Sequence, residues 1–212
     1  EEVFAEAIAE LKVPRKDVII QSKCGIRFSG DPNPGDPGRY DFSYEHLTRS
    51  VEGILRRLRI DTLDILLLHR PYPLMEPEEV ARAFDRLHSS GKVRHFGVSN
   101  FTGPQIAHLQ AALDQPLVAN QVELNLLHHH LINDGVMANT SNVPAAGAAG
   151  TLDYCQRRDI LIQAWSPVAG GALFTPAADA SDSVRRCAAL VAQLAREKDT
   201  SLEAIVLGWL LR

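Results

Sequence analysis

An α/β fold of the (β/α) barrel kind is predicted by three features of the sequence. Short apolar runs alternate with amphipathic helical segments, which implies right-handed βαβ crossovers and a parallel sheet. Helix-to-strand connections are short, whereas three strand-to-helix connections are long. Each apolar run also finishes in groups that hydrogen-bond, ionise or stack. The last two features point to a working face at the C-terminal ends of the strands, as in a barrel. Doubly wound open sheets bind ligands there too, but the chain has no G-x-G-x-x-G motif, which argues against a dinucleotide-binding domain of that class.

The elements follow in order. The opening EEVFAEAIAEL sets Val3, Phe4, Ala7, Ile8 and Leu11 on one helical face, with no N-cap ahead of it, so a helix is expected to be already running at Glu1. VIIQSK (18–23) is the first strand. A long loop, CGIRFSGDPNPGDPGRYDFS (24–43), leads to a helix over 44–58. DILLLH (64–69) is the second strand, followed by a helix over 77–90. HFGVS (95–99) precedes a helix over 104–113 that Thr102 is placed to cap. LVANQ (117–121) is the fourth strand, followed by a long connection over 123–151. Within it NTSNVPAAGAAG (139–150) is rich in small residues and reads as a mobile loop or lid, as does TPAADASD (175–182). A helix over 152–158, a strand over 161–165 and a helix over 183–198 complete the alternation.

At the end, Thr200 and Glu203 fit a capping box, and Leu202, Ile205, Val206, Trp209 and Leu210 make an apolar face with no glycine stop after it. Both ends therefore read as cut, and residues 1–212 as a single partial domain from the middle of a longer protein.

Composition narrows the partners. At 45% hydrophobic and 23% charged, the chain has the balance of a soluble globular domain with a sizeable core. A net charge of −4 argues against nucleic acid or an anionic membrane as partner. The basic pairs Arg56-Arg57, Arg157-Arg158 and Arg185-Arg186 fall in helical patterns and read as solvated faces. No apolar run approaches a membrane span, and no signal peptide is visible. Cys24, Cys155 and Cys187 are odd in number and lack C-x-x-C spacing, so they read as reduced thiols of a cytoplasmic protein.

The candidate site residues are those at the strand ends. Lys23 could simply reach solvent, but the mouth of a barrel gives it no easy route, which favours a functional role. A lone His69 would more often be a satisfied core histidine; its place in the series favours the site. Ser99 and Asn100 either begin a loop or face a ligand. Gln121, next to Asn120, either braces a neighbouring strand or binds. Trp165 either packs in the core or stacks, with Ser166-Pro167 beside it. The triplet His128-His129-His130 has neither i, i+4 spacing nor an acid to complete a ligand set, so no metal is expected.

The motifs IIQSKCG, DILLLHRP, GKVRHFGVSNF, ANQVELN and IQAWSPVAGGALF resemble the aldo-keto reductase superfamily in order and spacing, in the bacterial branch related to potassium-channel beta subunits. The resemblance implies a (β/α)8 TIM barrel, of which about five strands lie in this chain, and hydride transfer from NADPH to a small-molecule aldehyde or ketone. It implies that Lys23 lowers the pKa of a proton-donating tyrosine and that His69 orients the carbonyl. Ser99, Asn100 and Gln121 match the residues that hold the nicotinamide carboxamide, and Trp165 matches the ring that stacks on it. The backbone of Ser166, Pro167, Val168, Gly170 and Gly171 matches the loop beside the pyrophosphate. The family's aspartate and tyrosine have no counterpart here, since Tyr40, Tyr44, Tyr72 and Tyr154 do not fall at the tyrosine position. Two other functions stay open: a nucleotide-binding regulatory subunit without turnover, and a class I aldolase using Lys23 as Schiff-base nucleophile. The oligomeric state is not legible.

Overall fold

A computed structural model describes residues 1–136 and 150–212. Residues 137–149, which hold most of the small-residue stretch read above as a lid, lie outside the described residues. The elements are α1 (Glu2–Glu10), a 3-10 turn (Arg15–Asp17), β1 (Gln21–Cys24), β2 (Ile26–Arg27), β3 (Arg39–Tyr40), α2 (Tyr44–Leu58) and β4 (Leu63–Leu68). Then come α3 (Pro77–Ser89), β5 (Val93–Ser99), α4 (Gly103–Gln110), β6 (Leu117–Glu123) and α5 (His130–Val136). The chain ends with α6 (Thr151–Arg157), β7 (Leu161–Trp165), a 3-10 turn (Ala169–Gly171), α7 (Asp182–Glu197) and α8 (Leu202–Leu210). The backbone groups into two compact units, Glu1–Asn120 with Cys155–Leu161, and Gln121–Tyr154 with Ile162–Arg212.

In the first unit β1, β4 and β5 are parallel, with Lys23 opposite Leu67 and Leu67 opposite Gly97. Side chains alternate along each strand, so Leu66, Leu68, Phe96 and Val98 share one face. That face meets the helices: Phe84 of α3 stacks on Phe96 with ring centroids 3.9 Å apart. Leu47, Val51, Ile54, Leu55 and Leu58 form the buried stripe of α2, and Val80, Ala83, Phe84 and Leu87 that of α3. Each such leucine or phenylalanine contributes about 1.5–3 kcal/mol by leaving water. Ser43 caps α2 by accepting the His46 N–H, and Thr102 with Gln105 forms a capping box on α4, as its sequence position predicts.

In the second unit the later half of β6 neighbours β7. Two apolar clusters hold it. Leu173, Ala188, Val191 and Val206 join the loop after β7 to α7 and α8. Val122, Leu124 and Leu131 pack with Leu152, Ile162, Ala164, Trp209 and Leu210. Among the described residues no helix is long and apolar enough to cross a membrane.

Several expectations are corrected. The first strand begins at Gln21 rather than residue 18, because the Ile20 N–H goes to the Asp64 carboxylate at 2.8 Å instead of to a strand neighbour. The apolar face expected on α1 is not the packed one: Ala5 is buried, while Val3, Phe4 and Leu11 are exposed. The cap of α8 is Ser201, which accepts the Ala204 N–H, so the Thr200–Glu203 box does not form. The long loop over 24–43 contains the antiparallel pair β2–β3, and that over 123–151 contains α5. All three basic pairs are exposed, as read.

Candidate active site

Four of the predicted residues lie together in the first unit. The alternation that puts Lys23, Leu67 and Gly97 on one face continues two residues further to His69 and Ser99. His69 lies just past β4, yet its N–H still donates to the Cys24 carbonyl at 2.9 Å, so the pleat runs through it. Gly97 lets this face exist. A Cβ there would sit 2.6 Å from the Ala119 carbonyl oxygen and 2.6 Å from Leu67 Cδ2.

Charge follows from this placement. Lys23 is half-buried, and its ammonium has no ion pair or side-chain hydrogen bond among the described residues. Burial draws its pKa below the ordinary lysine value. His69 is half-buried as well; burial, then the charges of Lys23 and Arg70, hold its pKa below the ordinary value, so the ring is neutral at pH 7. Ser99 is buried, and its Oγ accepts from Asn100 Nδ2 at 2.9 Å. Asn100 has φ 63°, in the left-handed region that asparagine tolerates better than most residues. Asn120 is a brace: its Nδ2 donates to the Phe101 carbonyl at 2.9 Å and ties down the loop that follows Asn100.

The other predicted residues lie in the second unit. Gln121 Nε2 donates to Gln163 Oε1 on β7 at 3.2 Å, so the bracing contact anticipated for it is present. Trp165 is half-buried at the end of β7, and its carbonyl accepts from Leu124 at 3.5 Å. Ser166, Ala169, Gly170 and Gly171 have φ of 51°, 49°, 62° and 83°. This run of left-handed backbone explains the paired glycines, and a Cβ at Gly170 would meet nothing within 4 Å. Pro167 and Val168 are half-buried in the same turn.

The sequence reading missed the residues that hold these in place. Asn125 Oδ1 accepts the N–H groups of Leu127 and His128, and its Nδ2 donates to the Ser166 carbonyl at 3.1 Å. An asparagine, whose side chain can bond the backbone two residues on and so open a turn, is the signal that could have found it. Asp64, the single acid of its strand, binds Arg15 at 2.5 Å and Arg94 at 2.7 Å at the opening end of β4, away from His69. Burial alone would raise its pKa, but the Ile20 N–H and the two guanidiniums more than offset that and hold it low. In the histidine triplet, the rings of His128 and His130 pack edge to face at 4.8 Å, and His129 Nδ1 lies 3.0 Å from Asn133 Oδ1. Among the described residues no three His, Cys, Asp or Glu side chains could hold a metal ion together.

Comparison with known proteins bears on all of this. The model of the aldo/keto reductase family matches residues 1–212. Oxidoreductase YdhF of Escherichia coli (strain K12) is 40% identical over 212 residues, which is 100% of this chain and 64% of that protein. The uncharacterized oxidoreductase YcsN of Bacillus subtilis (strain 168) is 38% identical over 211 residues, or 99% of this chain and 65% of that protein. The chain thus spans about two thirds, or slightly less, of the length of these curated relatives. Among solved structures, the glycerol dehydrogenase AKR11B4 from Gluconobacter oxydans superposes with a TM-score of 0.78 at 23% identity, over 99% of this chain and 64% of its own. An aldo/keto reductase from Klebsiella pneumoniae, in complex with NADP and acetate, superposes with a TM-score of 0.68 at 23% identity, over 100% of this chain and 61% of its own. The fold is the (β/α)8 barrel of these proteins, and the described residues carry five of its strands.

Proposed function

The chain belongs to the aldo/keto reductase family, and from that premise we propose that the protein reduces small-molecule aldehydes or ketones to alcohols, using NADPH. One observation carries the reading: Lys23, His69 and Ser99 fall on a single face of the first unit, at the ends of successive parallel strands. Kinship with named oxidoreductases supports the reaction class, and the NADP complex of the Klebsiella protein supports the cofactor. The open left-handed backbone at Gly170 and Gly171 fits close approach of a phosphate chain. On this reading residues 1–212 form one partial barrel domain.

NADPH, when bound, supplies a hydride to the carbonyl carbon. The carbonyl oxygen then needs a proton and a field that stabilises its growing negative charge. Neutral His69 donates a hydrogen bond to that oxygen and fixes its direction. The partly desolvated Lys23 ammonium lowers the pKa of the tyrosine that gives the proton. None of Tyr40, Tyr44, Tyr72 and Tyr154 matches the family's tyrosine, so the reading draws that residue, and the aspartate that pairs with Lys23, from outside residues 1–212. Of the residues that would hold NADPH, Ser99, Asn100 and Gln121 would bind the nicotinamide carboxamide, Trp165 would stack on the ring, and the backbone of Ser166, Pro167, Val168, Gly170 and Gly171 would hold the pyrophosphate.

The test is Lys23→Met in the complete protein, which keeps length and removes charge. Turnover is expected to fall by about 100-fold or more, as for loss of a group that assists proton transfer, with NADPH affinity nearly unchanged. Undiminished turnover would remove Lys23 from the chemistry. A Schiff base trapped on Lys23 by borohydride would indicate an aldolase instead.

A further inference from the structure

The antiparallel pair β2–β3 follows Lys23 closely and has no part in the reading above. The loop after β4 leaves from His69 and soon reaches Tyr72. These two segments meet. Phe42, just past β3, is buried, and its ring meets that of Tyr72 edge to face at 5.8 Å. Tyr40 of β3 tilts against the same Tyr72 ring at 6.1 Å. A Cβ on Gly25 would lie 2.3 Å from Phe42 Cε1, so the returning strand is pressed against the chain that leaves β1.

A buried ion pair fixes the hairpin to the start of α2. Arg27 Nε donates to Asp41 Oδ2 at 2.5 Å, and Asp41 Oδ1 accepts from the Ser43 N–H at 2.9 Å and the Ser43 hydroxyl at 2.6 Å. Burial alone would raise the pKa of Asp41, but Ser43 and Arg27 bring it down to about 2, so the pair stays charged across the pH range of an enzyme assay. Phe42 alone would suffice to close the hairpin on the loop. Tyr40 and Leu74 do more than closure requires: they are 43% and 78% exposed and leave apolar surface in water beside Tyr72. The Tyr40 and Tyr72 hydroxyls make no hydrogen bond to the described residues, so what these side chains offer is their rings. A cavity of about 440 Å³ opens here, with Tyr40, Phe42, Tyr72, Leu74 and Met75 in its lining. Its size and apolar, aromatic walls are those of a small-molecule site.

We propose that Tyr72 is a specificity-determining residue: with Tyr40 it forms a subsite, on the chain that leaves His69, which stacks against an aromatic ring carried by the substrate a few bonds from its carbonyl. This rests on the carbonyl-reductase reading and deepens it. Ring against ring gains more than burial of the same apolar area, because the ring quadrupoles add to it, and a saturated ring of equal size lacks that gain. Lys23 and His69 act on the carbonyl whatever hangs from it. The subsite therefore shows itself in discrimination between substrates.

The experiment uses 3-phenylpropanal, 3-cyclohexylpropanal and propanal, which share one reacting end and differ only in what the far carbon carries. kcat/KM for each is measured with NADPH in the complete protein, unaltered and as Tyr72→Phe, Tyr72→Ala and Tyr40→Ala. The unaltered protein is expected to favour 3-phenylpropanal about tenfold over propanal and about threefold over the cyclohexyl compound, the scale of one ring pair with its burial. Tyr72→Phe should keep both ratios. Tyr72→Ala should shrink the first to about twofold and erase the second, and Tyr40→Ala, at an exposed position, should reduce both in part. Ratios that stay the same in Tyr72→Ala and Tyr40→Ala, whether or not the rates fall, would make the rings a structural clasp and overturn the proposal. Equal use of the phenyl and cyclohexyl compounds by the unaltered protein would overturn it too. Failure to reduce 3-phenylpropanal by a protein that reduces other carbonyl compounds would overturn the proposal and leave the carbonyl-reductase reading standing. A protein that reduces no carbonyl compound would defeat both.

Discussion

Position 97 shows how little room there is on the face that carries Lys23 and His69. An added methyl would lie 2.6 Å from a backbone oxygen of β6 and 2.6 Å from a buried leucine of β4, and neither can withdraw cheaply. Gly97→Ala in the complete protein is expected to cost about 1–3 kcal/mol, the range for overpacking a dense core. Urea unfolding gives the number, and an unchanged midpoint would mean that the strands part more easily than their register suggests. Lys23 and His69 were legible as site candidates because a polar group that closes an apolar run stands out within its own segment. Gly97 and Asp64 were not. The need for glycine comes from Ala119 and Leu67, and the acid is held by Arg15, Arg94 and the Ile20 N–H, all partners distant in sequence.

At the scale of elements, periodicity carried the long pieces. The extents of α2 and β7 agree with the spans expected from the sequence, and that of α3 agrees to within a residue. The two-residue strands β2 and β3 are too short to show any period, and α5 has only seven residues. The start of α8 turned on a local competition. Thr200 and Ser201 are both able to cap, and Thr200 has a glutamate at the right distance, which favoured it in the sequence. The backbone settles on Ser201, while the Thr200 N–H closes α7 by donating to the Ala195 carbonyl at 3.0 Å. Ser201→Ala is therefore expected to lower stability by about 1 kcal/mol and Thr200→Ala by much less. Thermal unfolding of the two variants separates the assignments, and the reverse order would restore Thr200 as the cap.

Across the whole molecule, the order of strands, helices and long loops was readable, and the family resemblance drawn from five motifs agrees with a family match over residues 1–212. Substrate choice was not readable, because in this architecture it is set by loops whose chemistry names no ligand. The (β/α)8 barrel accounts for a face of polar residues at strand ends. The measurement that tests the proposed reaction is carbonyl-dependent oxidation of NADPH by the complete protein across a panel of small aldehydes and ketones, with the alcohol quantified alongside. At least one substrate is expected to yield one alcohol for each NADPH consumed. Tight NADPH binding with no oxidation across the panel would contradict it and point instead to a nucleotide-binding regulatory protein.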